Sequence, residues 1–344
     1  YPVRIFQQKV SAPVIDTIDG TVRYRWTGDY LHLIKSEMSR PPIRDLYAHV
    51  LIVPLEFEYG IKGSNESWTT FGDYIAGLMQ GLDVLPASEM ARIIELTSGL
   101  PDTLAKIKAL YHYLQENTRY INVSVDIGGM KPYPASYVAL NKYGDCKALT
   151  NFMKSMLAAI GIQSYYTLVT GALLPARIIV DFPAQQFNHA ILCVPYRSDT
   201  LWLDCTNQEI PVGHTSSFIQ GRPVLVVSPG HSKLVHIGRL LPQDVLTTCT
   251  YHCAELADGA MQVALHAEYR GPECEKIAHY KSFGDPENQK AMAGKLLPFK
   301  NYDLDSFKFT KKPAGENSIA FDAQFLLRDH LQSMNDKLVI ALPS

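Results

Sequence analysis

No uninterrupted apolar run in these 344 residues reaches the ~18–20 that a membrane-crossing helix needs, so no such span is expected. An excess of one charge is also missing. The 32 Lys and Arg stand against 34 Asp and Glu, without a dense basic block, which argues against nucleic acid or anionic lipid as partner. Six cysteines (Cys146, Cys193, Cys205, Cys249, Cys253 and Cys274) are too few and too scattered for a disulfide framework in a chain this long. No Cys-x-x-Cys occurs, which excludes a zinc ribbon or a thioredoxin-type redox pair. Cys249 and Cys253 would share one strand face roughly 13 Å apart, too far to bridge, while Cys274 stays open as a partner for either. The 11 histidines show no His-x-x-x-His or similar ligand spacing, so neither metal nor cofactor is expected. The first residues, Tyr1-Pro2-Val3-Arg4-Ile5-Phe6, lack the basic start and apolar run of a signal peptide, and there is no initiator Met. That pattern reads as a processed product or an internal fragment.

What is present is an ordinary globular profile, 47% hydrophobic and 19% charged. The length exceeds what a single core usually serves, so two or three domains are expected. Residues 1 to 62 read as β. Thr21-Val22-Arg23-Tyr24-Arg25-Trp26 alternates, and His49 to Tyr59 is a second strand interrupted by Pro54. From 63 the texture is helical: Ser67, Asp102 and Asp145 are candidate N-caps, each ahead of an apolar stripe. Gly161 would close the third helix. The loop Gly128 to Ala135 is rich in turn residues. Strands follow at Gln163–Thr170, Gln186–Val194, Leu201–Cys205 and Pro223–Val227. From about 240 the pattern is β again, with one helical interlude from Asp285 to Leu297. The expected division is 1–62 as the end of an N-terminal β domain, 63–238 as the chemical core, and 239–344 as a C-terminal β domain cut short.

One segment carries the chemistry, Tyr143-Gly144-Asp145-Cys146-Lys147-Ala148-Leu149. A cysteine in the first turn of an apolar helix meets free backbone N–H groups and the positive end of the dipole, both of which stabilise a thiolate. The same N–H groups can donate to an oxyanion. Such a nucleophile needs a base. His189 sits in the apolar run Phe187-Asn188-His189-Ala190-Ile191-Leu192, where imidazole packs no better than hydrocarbon. The base needs an orienter, and Asp204 in Trp202-Leu203-Asp204-Cys205-Thr206 lies in the next strand, where antiparallel pairing would bring it to the ring. Taken singly, Cys146 and His189 are core residues more often than catalytic ones, and a turn or strand-end cap is the lesser reading of Asp204; the ordered set is what points to chemistry. Cys193 and Cys205 read as small core hydrophobes. Lys147 reads equally as a charge favouring the thiolate or as a solvated lysine. Asn65-Glu66-Ser67 and Asn122-Val123-Ser124 match the glycosylation pattern at chance level.

The order of cysteine at a helix start, histidine in a strand and aspartate in the next resembles the transglutaminase-like superfamily, a papain-type fold. The matching stretches are Ser67-Trp68-Thr69-Thr70-Phe71-Gly72, Asn117-Thr118-Arg119-Tyr120, Gly128-Gly129 through Pro134-Ala135, Gly144-Asp145-Cys146-Lys147, Phe187-Asn188-His189 and Trp202 to Thr206. The likeness extends to bacterial proteins in which that core stands between an N-terminal and a C-terminal β domain. It implies an α+β fold, a papain-like core with β-sandwich-like flanks, and a periplasmic or cell-surface location. It also implies Cys146 as nucleophile, His189 as base then acid, and Asp204 as orienter. Trp202 shares the Asp204 face and would shield the pair from water. Where papain-type enzymes place a glutamine for the oxyanion, this chain has Leu140; Asn141 and Tyr143 are the nearest polar substitutes. The expected activity is acyl transfer from amides through a Cys146 thioester on a protein or peptide substrate, with hydrolysis favoured over amine transfer. A non-catalytic peptide- or glycan-binding module is the competing reading.

Overall fold

The computed structural model describes residues 2–28, 43–122, 126–171, 177–256, 259–282, 285–299, 301–311, 317–328, 331–334 and 337–340. The fold is α+β. Its contacts form two compact units, Tyr1–Thr206 with Phe218–Gly238, and Asn207–Ser217 with Arg239–Ser344.

The first unit is built on a five-stranded antiparallel sheet, in the order Asp199–Leu203, His189–Tyr196, Tyr165–Val169, Pro223–Val226, Lys233–His236. Its helices begin where the capping residues predict. Ser67 accepts from the Thr70 N–H at 3.1 Å, and the Thr70 hydroxyl accepts from the Ser67 N–H at 3.0 Å, a reciprocal cap for the helix Trp68–Leu78. Asp102 caps Thr103–Asn117 through the Ala105 N–H. Asp145 caps Cys146–Ala159 through the Ala148 N–H, and Gly161 follows at φ 73°, the left-handed geometry that ends a helix cleanly. The helix Cys146–Ala159 is the best-buried of the unit, and Thr150 ties it to the sheet by donating to the Ala190 carbonyl at 3.1 Å. Phe71, Tyr74, Ile75, Tyr166, Leu168, Ala190 and Leu225 form the apolar cluster around its first residue.

Small β pieces complete this unit: Val3–Gln8 with His49–Pro54, the hairpin Val14–Ile18 with Thr21–Arg25, and Glu56–Tyr59 with Ile61–Ser64. The strand expected from His49 to Tyr59 therefore breaks just after Pro54, which cannot continue a ladder. A two-residue parallel pairing, Arg119–Tyr120 with Tyr143–Gly144, runs directly into Cys146.

Besides the single turn Ile43–Leu46, inside the stretch read as β, two longer helices here have no counterpart in the sequence pattern above. Ala135–Asn141 lies in part within the expected loop; it starts after Pro134 without a side-chain cap. Ala87–Thr97 likewise lacks a side-chain cap. Its stripe contains Glu89, buried where an apolar residue is expected, because Tyr113 donates to it at 2.9 Å and Lys142 at 3.3 Å. The pairing is tertiary and leaves no periodic trace.

The second unit is a four-stranded antiparallel sheet in the order Thr247–Glu255, Met261–Arg270, Ser318–Leu327, Tyr302–Lys311. Met261, Val263, Leu265, Ala267 and Tyr269 alternate onto one face and pack against Cys274, Ile277, Met292 and Ala293 from the helices Pro272–Ser282 and Pro286–Leu296. Among the described residues the covering layer is thus helical, where a sandwich would place a second sheet. Strand alternation shows which face is buried and not what buries it. Cys274 is buried and bonds Asn317, while Cys249 and Cys253 are exposed and free, so the open pairing of Cys274 is not made.

Replacing Ser67 by Ala is expected to destabilise the first unit by about 1 kcal/mol. Chemical denaturation followed by tryptophan fluorescence measures it; an unchanged midpoint removes the cap from this account.

Candidate active site

Cys146 is the first residue of its helix and is 8% exposed. The tight turn ahead of it needs Gly144, since a Cβ there would stand 2.8 Å from that of Ala148. With Asp145 bonding the Ala148 N–H, the Cys146 and Lys147 N–H groups lie in the open first turn of the helix.

His189 begins the strand His189–Tyr196, and Asp204 follows the last residue of Asp199–Leu203. The ladder pairs Leu192 with Leu203, so that its continuation sets Asp204 opposite Ile191, two residues from His189 and on the same face. The result is a hydrogen bond of 3.1 Å between His189 Nε2 and Asp204 Oδ1, with side chains 10% and 7% exposed. The Cys146 sulfur acts on the same ring and, after Asp204, helps it to hold its proton. Three residues distant in sequence thus come into one neighbourhood, two of them bonded to each other.

Asp204 is anchored from several sides. Thr206 donates to Oδ1 through its N–H at 3.1 Å and its hydroxyl at 2.7 Å, and the buried Tyr111 hydroxyl donates to the Asp204 carbonyl at 2.7 Å. Burial alone works against a proton on His189. The Asp204 charge and hydrogen bond, together with the Cys146 sulfur, outweigh it and raise the ring from 6.5 to about 10. Burial also opposes ionisation of Asp204, but the imidazolium and the Thr206 bonds prevail and hold the carboxyl below its ordinary 3.8. The two shifts agree: each partner favours the charge of the other.

Two further thiols are buried in this unit. Burial pushes Cys193 up to about 11, and Cys205 further, with the Asp204 charge adding to it. Both are inert core groups by this measure.

The residues considered as oxyanion donors are otherwise engaged. Asn141 donates to the Tyr137 carbonyl at 2.8 Å within its own helix turn, and the Tyr143 hydroxyl is bonded to that of Tyr137. Trp202 pairs with Cys193 in the ladder and packs against the cluster of Val169, Ile191 and Val224. The ring that meets His189 edge-on is Phe218, at 5.8 Å. Gly171 makes room for it, since a Cβ there would collide with the Phe218 ring at 2.1 Å. Phe218 carries no sequence signal. Thr206 does, because Asp-x-Thr is the spacing of a side-chain-capped turn. Tyr120, opposite Gly144 in the short parallel pairing, borders the site as well, and the charges of Cys146, Asp145 and Asp204 all act on it after burial.

No protein-family model matches the chain, and no curated protein does. Among solved structures, one from Parabacteroides distasonis described as a "putative protease" is similar, with a TM-score of 0.51 at 13% identity over 95% of this chain. The chain spans 64% of that neighbour, less than two thirds of its length. At such identity the likeness speaks for the fold alone.

Elsewhere, the Asn65 side chain is buried and donates to the Pro54 carbonyl at 2.8 Å, which leaves it no freedom to carry a glycan. Of the other matching triplet, Val123 and Ser124 lie outside the described residues, as do His32 and His330. Among the described residues no group of three metal-type ligands converges, and no helix is long and apolar enough to cross a membrane.

Because His189 holds its proton more tightly folded than unfolded, its contribution to stability is complete below pH 6.5 and fades as pH rises through about 10. Asp204 contributes above 3.8 and loses its share only as pH falls through its depressed value. Asp204→Ala is therefore expected to cost about 3–5 kcal/mol near pH 6, the penalty for stranding one member of a buried pair. Urea denaturation should show the difference shrinking towards pH 10; equal losses at both pH values contradict the coupling.

Proposed function

We propose that this chain is a cysteine-dependent acyl transferase of the transglutaminase-like type, acting on amide bonds of proteins or peptides and transferring the acyl group chiefly to water. The single observation that carries the reading is the buried, bonded imidazole–carboxylate pair acted on by a thiol at a helix N-terminus. The sequence resemblance and a solved neighbour described as a protease support it. In this reading residues 63–238 form a papain-like core, with β-rich parts before and after it, in a bacterial protein working in the periplasm or at the cell surface.

The mechanism follows from the geometry. Cys146 and His189 form a thiolate–imidazolium pair, with Asp204 keeping the ring oriented and charged. The sulfur attacks the amide carbonyl carbon, and the oxygen gathers negative charge within reach of the Cys146 N–H at the helix start. As the carbon–nitrogen bond breaks, His189 gives its proton to the leaving amine. The thioester remains on Cys146. Water then approaches, His189 takes its proton, the hydroxide adds to the thioester carbonyl, and the acid departs as the thiolate re-forms beside the imidazolium. A primary amine in place of water gives amine transfer with the same groups.

Peptide and protein substrates incubated with the enzyme, with and without a labelled primary amine, test this. Hydrolysis is expected, and Cys146→Ala is expected to lower it by at least about a thousandfold. Incorporation of the amine in preference to hydrolysis makes the protein a cross-linking enzyme. Native Cys146 that reacts with iodoacetamide no faster than in denatured protein, with Cys146→Ala leaving the biological activity intact, makes it a binding module.

A further inference from the structure

Lys147 follows the nucleophile directly and is not a solvated residue. Its side chain is 10% exposed, and its Nζ lies 2.5 Å from Oδ2 of Asp145, itself 2% exposed. The other carboxylate oxygen accepts the Ala148 N–H at 3.0 Å and caps the helix. Cys146 therefore stands between a buried anion and a buried cation in the first helix turn. A lysine is an odd choice there for helix stability, because the dipole favours negative charge at that end. It is well suited to a different task. A carboxylate removed from water is costly unless paired, and an unpaired one beside a thiol opposes a second negative charge.

The other ionisable groups acting on this sulfur come from elsewhere in the unit: His189, Tyr120, Tyr166 and Cys205, with Asp204 behind the imidazole. The Tyr166 hydroxyl is buried without a hydrogen-bond partner, and the tyrosines and Cys205 are neutral in their raised states. With thiolate and imidazolium formed, the anions Asp145, Cys146 and Asp204 face the cations Lys147 and His189. Removing Lys147 leaves His189 as the one cation among three anions.

We propose that Lys147 is a positioning residue for the nucleophile: by neutralising Asp145 inside the protein, it lets the capping carboxylate and a Cys146 thiolate exist side by side. This rests on Cys146 being the nucleophile. Lys147 touches no substrate in this role and acts through the charge of its neighbour.

The test is the rate of Cys146 alkylation by iodoacetamide against pH, read at the Cys146 peptide by mass spectrometry so that exposed Cys249 and Cys253 do not contribute. Lys147→Met is expected to move the profile up by about one pH unit, slowing alkylation near pH 7 on the order of tenfold. Lys147→Arg, which keeps the charge, should stay near the parent. Asp145→Asn with Lys147→Met removes both charges while an asparagine keeps the cap, and should bring the profile back. If Lys147→Met does not fold, Asp145→Asn alone carries the test in reverse, with the profile moving down by a similar amount. A reactive Cys146 whose profile ignores these changes, or a double variant displaced as far as Lys147→Met, overturns this inference and leaves the proposed function standing. A parent Cys146 no more reactive than in denatured protein sinks both.

Discussion

The His189 ring, bonded to a carboxylate inside the protein, is the constraint around which the first unit is organised. An imidazolium at this depth would be expelled or neutralised without a fixed counter-charge, because burial alone opposes it. Asp204 supplies that charge, and Asp204 must itself be held. Thr206 and Tyr111 hold it, from the following turn and from a distant helix. The strand ladder sets ring and acid diagonally on one face, and Thr150 holds the Cys146 helix to the histidine strand at the Ala190 carbonyl.

Energetically this is a site where charge is kept dry by compensation. Asp204 is paired with His189, Asp145 with Lys147, and Glu89 with Lys142 and Tyr113. None of these pairs is a strong net source of stability, since desolvation offsets most of the attraction, but breaking any of them leaves a stranded charge. The tightly packed helix Cys146–Ala159 and the sheet beside it carry the stability that makes such an arrangement tolerable. Phe218, admitted by the missing Cβ of Gly171, closes the imidazole off on one side. The return of the chain to the first unit at Phe218, after residues 207–217 belong to the other, makes that contact depend on a route no local pattern describes.

Several elements were legible because their causes are local. Ser67, Asp102 and Asp145 announce helix starts by side-chain chemistry one turn ahead of an apolar stripe, and Gly161 announces a stop by its backbone freedom. Alternation along Met261–Arg270 tells which face is inside. The helix Ala87–Thr97 was not legible, because its buried Glu89 makes sense only beside Tyr113 and Lys142. For the same reason the sequence leaves Lys147 equally a charge beside the thiol or a solvated lysine, while the fold turns it back onto Asp145.

The amino-acid order by itself determined which residues are able to do the chemistry: a thiol at a helix start, an imidazole and a carboxylate in successive strands, each out of place in apolar surroundings. Only the tertiary structure decided that Nε2 of the ring meets the acid, that Thr206 and Phe218 support the ring and its acid while Asn141 and Tyr143 are spent on their own neighbours, and that the lysine after Cys146 is buried. The division has a plain cause. Propensity and capping act over a few residues and are written in their order, whereas desolvation and charge pairing depend on what the folded chain brings close from far away.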